Sequence, residues 1–309
     1  MLKIIRAGLH TSVQDTGRFG FRRLGISQSG ALDIPALKLA NLLVGNAENA
    51  AALEITLGKF VATFTSPCWV ALTGADCHAD LDGKPLWTGW RFAVKAGQTL
   101  KMHLPRHGMR SYLAFSGGVD VPEALGSRST DLKAGFGGFA GRLLADGDEL
   151  SLGAAARLPI RETGVKQLLF GNRVRALPGP EYQEYDENAR EAFWRTPWHL
   201  SPQSNRMGYR LQGPELQRTA QREMPSHGLL PGVVQVPHSG RPIVLLADAQ
   251  TTGGYPRIAC VIEADLYHLA QIRLGEPVHF IRCTLAEAQQ AAEQQRRYLQ
   301  QLAWRLHDY

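Results

Sequence analysis

Three short segments of this sequence combine glycine with side chains that bind or orient polar ligands. The first runs over residues 14–33 and carries Asp15 and Arg18 among its glycines. Glycine lets backbone amides approach a ligand closely, and a carboxylate or guanidinium orients it or balances its charge. A loop that needs positive φ angles, with Asp15 and Arg18 bonded to each other, explains the pattern equally well.

The second segment, residues 204–211, places Asn205 beside Arg206. An amide next to a bidentate guanidinium fork suits a carboxylate or a ureido-like group. The alternative is that Arg206 pairs with a nearby acid while Tyr209 fills the core. Taken alone, the segment favours this structural interpretation.

The third segment, residues 248–257, directly follows an apolar run at 243–247. A strand that ends in a polar, glycine-bearing turn is a common way for a rigid scaffold to present side chains. The pattern therefore favours a functional role over a self-contained turn. The side chains in question are Asp248, Gln250, Thr252, Tyr255 and Arg257.

Isolated histidines are weaker candidates. His227 stands next to glycine, which is typical of a turn residue. His103 and His107 are four apart, but Pro105 between them disfavours a helix that would aim both at one metal. The sequence predicts no metal site.

Several self-contained active sites are excluded by missing motifs. The sequence has no G-x-x-x-x-G-K-[ST] phosphate loop and no G-x-S-x-G nucleophile turn. It has no Met-Lys-Met tripeptide, so no biotin is expected on this chain. The sequence alone does not indicate a complete catalytic centre.

The composition indicates which elements must position these segments. The 309 residues include 32 glycines and 17 prolines, which fall between short apolar runs. This distribution predicts a mainly β protein built from short strands and tight turns, with two domains. The net charge of +6 is scattered rather than gathered on one stretch, which argues against nucleic-acid binding.

A few local signals mark individual elements. Asp33 is a suitable N-cap for a first helix, and 186–194 is predicted as a second. Asp82-Gly83 predicts a hairpin turn. Thr284 and Glu287 form a capping box that opens a C-terminal helix.

The segmentation predicts a first β domain over residues 1–155 and a second over 165–309, which includes the C-terminal helix. The four cysteines form no C-x-x-C pair, which favours free thiols in a reducing compartment. The N-terminus lacks the apolar region of a signal peptide, so a cytoplasmic location is expected.

The three segments, in this order, resemble the biotin-dependent carboxyltransferase-like family, which includes allophanate hydrolase subunit 2 and the KipA proteins. The resemblance extends over essentially the whole chain and is strongest to the 5-oxoprolinase members. The stretches that carry it are 1–8, 204–212, 226–237, 248–260 and 301–306.

The resemblance implies two cyclophilin-like β-barrel domains with a cleft between them. It implies a complex with two further 5-oxoprolinase components, a KipI-like protein and a LamB/YcsF-like protein. This complex opens 5-oxoproline to L-glutamate with ATP as co-substrate. In the cleft the catalytic candidates are Arg206, Asp248 and Gln250. The substrate-binding candidates are Asp15, Arg18, Asn205, Thr252, Tyr255 and Arg257.

Two other functions within the family stay open. One is a urea-type carboxyltransferase that uses biotin carried by another protein. The other is a non-catalytic, KipA-like regulator that binds a KipI-like protein.

Overall fold

The computed structural model describes residues 1–156, 158–159, 161–219 and 223–307. The chain divides into two compact units, which are described separately. Unit 1 consists of Met1–Phe19, Ser29–Leu169 and Arg297–Tyr309, and unit 2 consists of Gly20–Gln28 and Phe170–Arg296.

Unit 1 contains two six-stranded sheets. Its strands are β1 (Leu2–Arg6), β2 (His10–Gln14), β3 (Ala52–Thr56), β4 (Phe60–Phe64), β5 (Cys68–Gly74), β6 (Asp80–Leu81), β7 (Lys84–Pro85), β8 (Trp90–Val94), β9 (Thr99–Met102), β10 (Arg110–Phe115), β11 (Glu149–Leu150) and β12 (Thr163–Gly164). One sheet has the order β11-β1-β4-β9-β6-β7 and the other β12-β8-β5-β10-β3-β2.

The core of unit 1 follows from alternation along the strands. In β4, Phe60, Ala62 and Phe64 are fully buried and the residues between them are half-buried. Side chains that alternate in this way turn one face of a strand towards the core. The predicted hairpin turn between β6 and β7 is confirmed: Asp82 and Gly83 both have positive φ, at 50° and 83°.

Helix α1 (Ile34–Leu43) packs against β5 and β10 of unit 1. The Asp33 side chain accepts a hydrogen bond from the amide of Ala36 at 2.9 Å, so the predicted N-cap is confirmed. The hydroxyl of Thr73 donates to the Ala36 carbonyl at 2.7 Å, which ties the first turn of the helix to β5.

Unit 2 contains a closed seven-stranded barrel and a separate two-stranded ribbon. Its strands are β13 (Arg173–Pro178), β14 (Trp198–Leu200), β15 (Gly208–Gln212), β16 (His227–Gly228), β17 (Val233–Gln235), β18 (Ile243–Leu245), β19 (Thr252–Gly253), β20 (Arg257–Val261) and β21 (Pro277–Arg282). The barrel order is β13-β20-β17-β18-β15-β14-β21, and the parallel pairing of β21 with β13 closes it; the ribbon pairs β16 with β19.

Helix α2 (Glu187–Arg195) covers part of this barrel. Its N-cap is Asp186, which accepts from the amide of Ala189 at 2.6 Å, so the predicted second helix is confirmed. Phe193 stacks on Phe280 of β21 with ring centroids 4.7 Å apart, which anchors the helix to the barrel. A short helix α3 (Leu266–Gln271) follows β20.

The chain ends in the long helix α4 (Leu285–His307). The predicted capping box is confirmed, because the amide of Thr284 donates to the Glu287 carboxylate at 2.7 Å and the Glu287 amide donates back to the Thr284 hydroxyl at 3.3 Å. Along the described ranges, no helix combines the length and apolarity needed to span a bilayer.

The predicted mainly β class with few helices and a C-terminal helix is confirmed. The structure contains short helical turns besides, at Arg22–Leu24, Tyr182–Glu184 and Glu263–Asp265. All four cysteines are free thiols, as the sequence predicted.

Candidate functional site

The second and third segments meet at one end of the barrel in unit 2. Strands β15 and β18 are antiparallel neighbours, so the chain that enters β15 lies beside the chain that leaves β18. The amide of Leu246 donates to the Met207 carbonyl at 3.1 Å, and the amide of Asp248 donates to the Arg206 carbonyl at 3.1 Å. Strand pairing therefore joins two segments that are far apart in the sequence.

Arg206 and Asp248 form a bidentate ion pair at this junction. Arg206 Nε donates to Asp248 Oδ2 at 2.9 Å and Nη2 donates to Oδ1 at 3.1 Å. The two side chains are only 5% and 3% exposed. The acid expected near Arg206 is thus a residue of the third segment. A direct catalytic role for either residue stays a prediction.

A second ion pair holds the other end of the third segment. Glu181 accepts from the backbone amide of Arg257 at 3.0 Å, from its Nε at 2.8 Å and from its Nη2 at 2.7 Å. The Glu181 side chain is 8% exposed. Residues 249–256 are therefore held at both ends by bidentate pairs whose carboxylates are buried. No local pattern marks Glu181, because its partner lies 76 positions away.

The Glu181 pair predicts a dependence of stability on pH. Burial alone raises the pKa of Glu181, but hydrogen bonds and the charge of Arg257 outweigh it, so the pKa lies below its ordinary 4.5. A carboxyl with a depressed folded-state pKa contributes stability above its unfolded pKa and loses it as pH falls through the folded pKa. We expect Glu181→Gln to be destabilising at neutral pH, with a deficit that shrinks below about pH 4.5.

Urea unfolding of both proteins at a series of pH values measures this deficit. Glu215→Gln is the matched control, since Glu215 is exposed, and its deficit is expected to be small at every pH. A Glu181→Gln deficit that stays constant from pH 7 to pH 3 would contradict the assignment.

A pocket of about 380 Å³ lies beside residues 249–256. Its polar lining comes from Asn205, Arg210, Gln235, Ser239, Gln250 and Tyr255. The structure thus brings together three residues predicted as site residues from two separate segments. The volume is within the range of small-molecule sites, and amide groups suit a ligand with both donors and acceptors.

The three other polar residues that line the pocket, Arg210, Gln235 and Ser239, were not predicted from the sequence as site residues. Gln235 is the last residue of β17 and is 1% exposed; its Nε2 lies 3.4 Å from the Tyr255 carbonyl. The signal for Gln235 in the sequence is a polar residue directly after two valines, Val233 and Val234. A buried amide needs hydrogen-bond partners, and the Tyr255 carbonyl is one of them.

Other predicted residues lie elsewhere in unit 2. Thr252 is exposed in the ribbon, where its neighbour across the pair is Gly228. Arg257 is engaged by Glu181 and is absent from the lining of the pocket. Their roles in binding substrate stay predictions.

Asp15 and Arg18 belong to unit 1, where both are buried. The Asp15 carboxylate accepts from the Gly17 amide at 2.7 Å and from the hydroxyls of Ser127 at 2.7 Å and Ser129 at 2.5 Å. Arg18 donates to the Ser129 carbonyl at 2.6 Å, and its guanidinium lies 4.6 Å from the ring centre of Phe136. These contacts organise a loop, and a role in binding substrate stays a prediction.

Within the part of the chain that the structure describes, no three His, Cys, Asp or Glu residues are grouped as a metal site requires. The polar groups that line the candidate site are amides, hydroxyls and a guanidinium.

Comparison with known proteins identifies relatives of this chain. The family described as carboxyltransferase domain, subdomain A and B, matches residues 24–282. The C subunit of 5-oxoprolinase from Escherichia coli (strain K12) is 66% identical over 308 residues, which cover 100% of this chain and 99% of that protein. The corresponding C subunit from Haemophilus influenzae is 45% identical, with 98% and 97% covered.

Among solved structures, the K. lactis urea amidolyase aligns with a TM-score of 0.90 and 28% identity. The alignment covers 97% of this chain but 20% of that one, so this chain corresponds to about a fifth of the larger enzyme.

Proposed function

Because this chain belongs to the carboxyltransferase family with subdomains A and B, we propose that it acts as the C subunit of an ATP-dependent 5-oxoprolinase. The observation that carries the proposal is the near-complete, two-way coverage by the 5-oxoprolinase subunits. Fold alone does not distinguish this activity from urea carboxylation, since one fold hosts several reactions.

In this proposal the chain works in the cytoplasm, in a complex with a KipI-like partner and a LamB/YcsF-like partner. The missing phosphate-loop motif and the missing nucleophile turn fit a protein that completes its site with partners. This chain and the KipI-like partner form the site that activates the lactam, and the LamB/YcsF-like partner opens the ring.

The reaction needs ATP because an unstrained lactam is a poor electrophile. Transfer of the γ-phosphoryl group to the lactam oxygen releases ADP and turns that oxygen into a leaving group. Water then adds to the activated carbon, and cleavage of the carbon–nitrogen bond leaves an acyl phosphate with a free amine. A second water releases phosphate and glutamate.

The polar pocket of unit 2 is the proposed binding place for the lactam. Asn205, Gln235 and Gln250 offer amide donors and acceptors to a neutral cyclic amide. Preorganised donors at the lactam oxygen stabilise the charge that develops there. Arg206 and Asp248 act in this proposal as positioning residues, which fix the turn that carries Gln250.

The first test measures 5-oxoproline-dependent ATP hydrolysis and glutamate release in the complex with both partner proteins. We expect activity with all three proteins and a loss of at least about 100-fold when this chain is omitted, because the activating site is then incomplete. Full activity of the two partners without this chain would refute the proposal.

A urea-type carboxyltransferase is the second candidate, favoured by the TM-score of 0.90 to urea amidolyase. It predicts carboxylation that stops when avidin removes a biotinylated partner. A KipA-like regulator predicts instead a stable complex with a KipI-like protein and no turnover of either substrate.

A further inference from the structure

Arg22 belongs to the first glycine-rich segment but packs within unit 2. It lies in the helical turn Arg22–Leu24, and its Nη2 donates to the carbonyl of Leu229. The amide of Leu229 donates in turn to the Thr251 carbonyl at 2.9 Å. This contact brings Arg22 to the edge of the β16–β19 ribbon.

The guanidinium of Arg22 carries a charge that is not balanced locally. Its Nη1 is buried and has no hydrogen-bond partner among the described residues, where no carboxylate pairs with Arg22 either. Burial lowers the pKa of this side chain. A partly buried cation without a nearby counter-charge favours an anion at this position.

His227 supplies a second unpaired nitrogen on the same ribbon. Its Nδ1 lies 3.2 Å from the Pro225 carbonyl, which can only accept, so Nδ1 is the donor of this contact and Nε2 is the nitrogen that can accept. Nε2 is buried and without a partner in the described parts of the chain. His227 stands two residues before Leu229, about 7 Å along an extended chain.

We propose that Arg22 and His227 form a subsite for a small carboxylate that carries an N–H group on the adjacent carbon. The carboxylate accepts from Arg22 Nη1, and the N–H donates to His227 Nε2. 5-Oxoproline has this arrangement, with its carboxylate next to the lactam nitrogen. The ribbon borders the proposed lactam pocket, because a Cβ on Gly253, which pairs with His227, would lie 3.3 Å from Gln235 Nε2 and 3.8 Å from Gln250 Nε2. Naming 5-oxoproline rests on the proposed function, whereas the carboxylate and N–H chemistry rests on the two unpaired nitrogens.

The charges favour a monoanion over a phosphate. One unpaired guanidinium nitrogen balances one carboxylate, while a dianion would also face the lone pair of His227. A second negative charge on the ligand would lack a donor and would face that lone pair.

The test compares Arg22→Gln with Arg23→Gln, its exposed neighbour, in the assembled complex. Both variants remove one positive charge. Titration calorimetry uses 5-oxoproline, N-acetylglycine, which has the same carboxylate and amide N–H without a ring, and 5-oxoproline carboxamide. We expect Arg22→Gln to weaken binding of both acids about 10- to 100-fold, through loss of a charged hydrogen bond. We expect Arg23→Gln to change it less than about threefold.

The carboxamide is expected to bind weakly to the unmodified protein and to be insensitive to Arg22→Gln. Arg22→Lys keeps the charge but not the guanidinium fork, and it is expected to bind both acids with intermediate affinity. This second variant keeps the test decisive if Arg22→Gln does not fold. Equal effects of Arg22→Gln and Arg23→Gln, or equal binding of acid and carboxamide, would overturn the subsite.

The outcomes separate this inference from the proposed function. If Arg22→Gln turns over 5-oxoproline with an unchanged KM, the subsite is refuted and the proposed function stands. If binding of N-acetylglycine depends on Arg22 but the complex does not turn over 5-oxoproline, the proposed function is refuted and the subsite stands.

Discussion

Replacing Asp248 with alanine is expected to lower the free energy of unfolding by about 3–5 kcal/mol, because it leaves the Arg206 guanidinium buried without its carboxylate. Arg206 is 5% exposed and donates twice to Asp248, at 2.9 and 3.1 Å. Urea unfolding followed by circular dichroism measures the loss. Asp120→Ala is the control, since Asp120 is exposed, and its effect is expected to stay within about 0.5 kcal/mol.

The double variant Arg206→Met, Asp248→Leu separates the cost of an unpaired charge from the value of the pair. Replacement of both partners by apolar side chains of similar size is often neutral for stability. We expect the double variant to recover most of what Asp248→Ala loses. A loss below about 1 kcal/mol for Asp248→Ala would show that the pair is not essential to the fold.

The same variants test the role of the pair in activity. Displacement of a catalytic group by about 1 Å costs on the order of 100-fold in rate. Because the pair fixes the turn that carries Gln250, Asp248→Ala should abolish 5-oxoproline-dependent ATP turnover while the complex stays assembled. Retained turnover in Asp248→Ala would exclude Asp248 from the site.

Signals that act over three or four residues were predictable from the sequence. The Asp33 cap bonds Ala36, the Thr284 box bonds Glu287, and the Asp82-Gly83 turn needs only its own two positive φ angles. Each of these features depends on side-chain chemistry and backbone conformation at adjacent positions. The order of the surrounding strands does not affect them.

The geometry of the site depends on contacts that local patterns do not encode. Glu181 meets Arg257 across 76 positions, and Arg22 meets the Leu229 carbonyl across 207. Such pairs depend on the strand order in the barrel and on the packing of residues 20–28 within unit 2. The sequence identified Asn205 and Gln250 as polar residues in unusual places, but the structure was needed to bring them to one pocket.

The Arg206 segment shows both sides of this limit. Its residues predicted a nearby acid as the structural alternative, which is correct, yet the acid belongs to the segment that was favoured as functional. Two patterns interpreted separately therefore describe one interaction. The sequence does not show that β15 pairs with β18, and this pairing brings the two segments together.

Replacing Glu54 with alanine is the corresponding prediction for unit 1, with an expected loss of about 3–5 kcal/mol in unfolding free energy. Glu54 is 1% exposed in β3. Its Oε2 accepts from the Tyr112 hydroxyl at 2.6 Å and from the Leu32 amide at 2.8 Å, and Arg110 Nε lies 3.6 Å from Oε1. Removal of the carboxylate takes an acceptor from two buried donors and a counter-charge from a buried cation.

A double-mutant cycle with Tyr112→Phe tests whether these groups act as one network. The Tyr112 hydroxyl also accepts from the Asp33 amide at 2.8 Å, so it connects Glu54 to the start of α1. Burial, followed by the charges of Glu54 and Asp33, raises the pKa of Tyr112 well above its ordinary value, which keeps the hydroxyl protonated as a donor to Glu54.

Because the Tyr112 and Glu54 side chains are in direct contact, the double variant is expected to lose less unfolding free energy than the two single variants lose together. The expected coupling is about 1–2 kcal/mol. Urea unfolding of the two single variants and the double variant gives this coupling. Strict additivity would mean that Glu54 stabilises unit 1 through contacts other than the Tyr112 bond, and that this bond contributes nothing beyond packing.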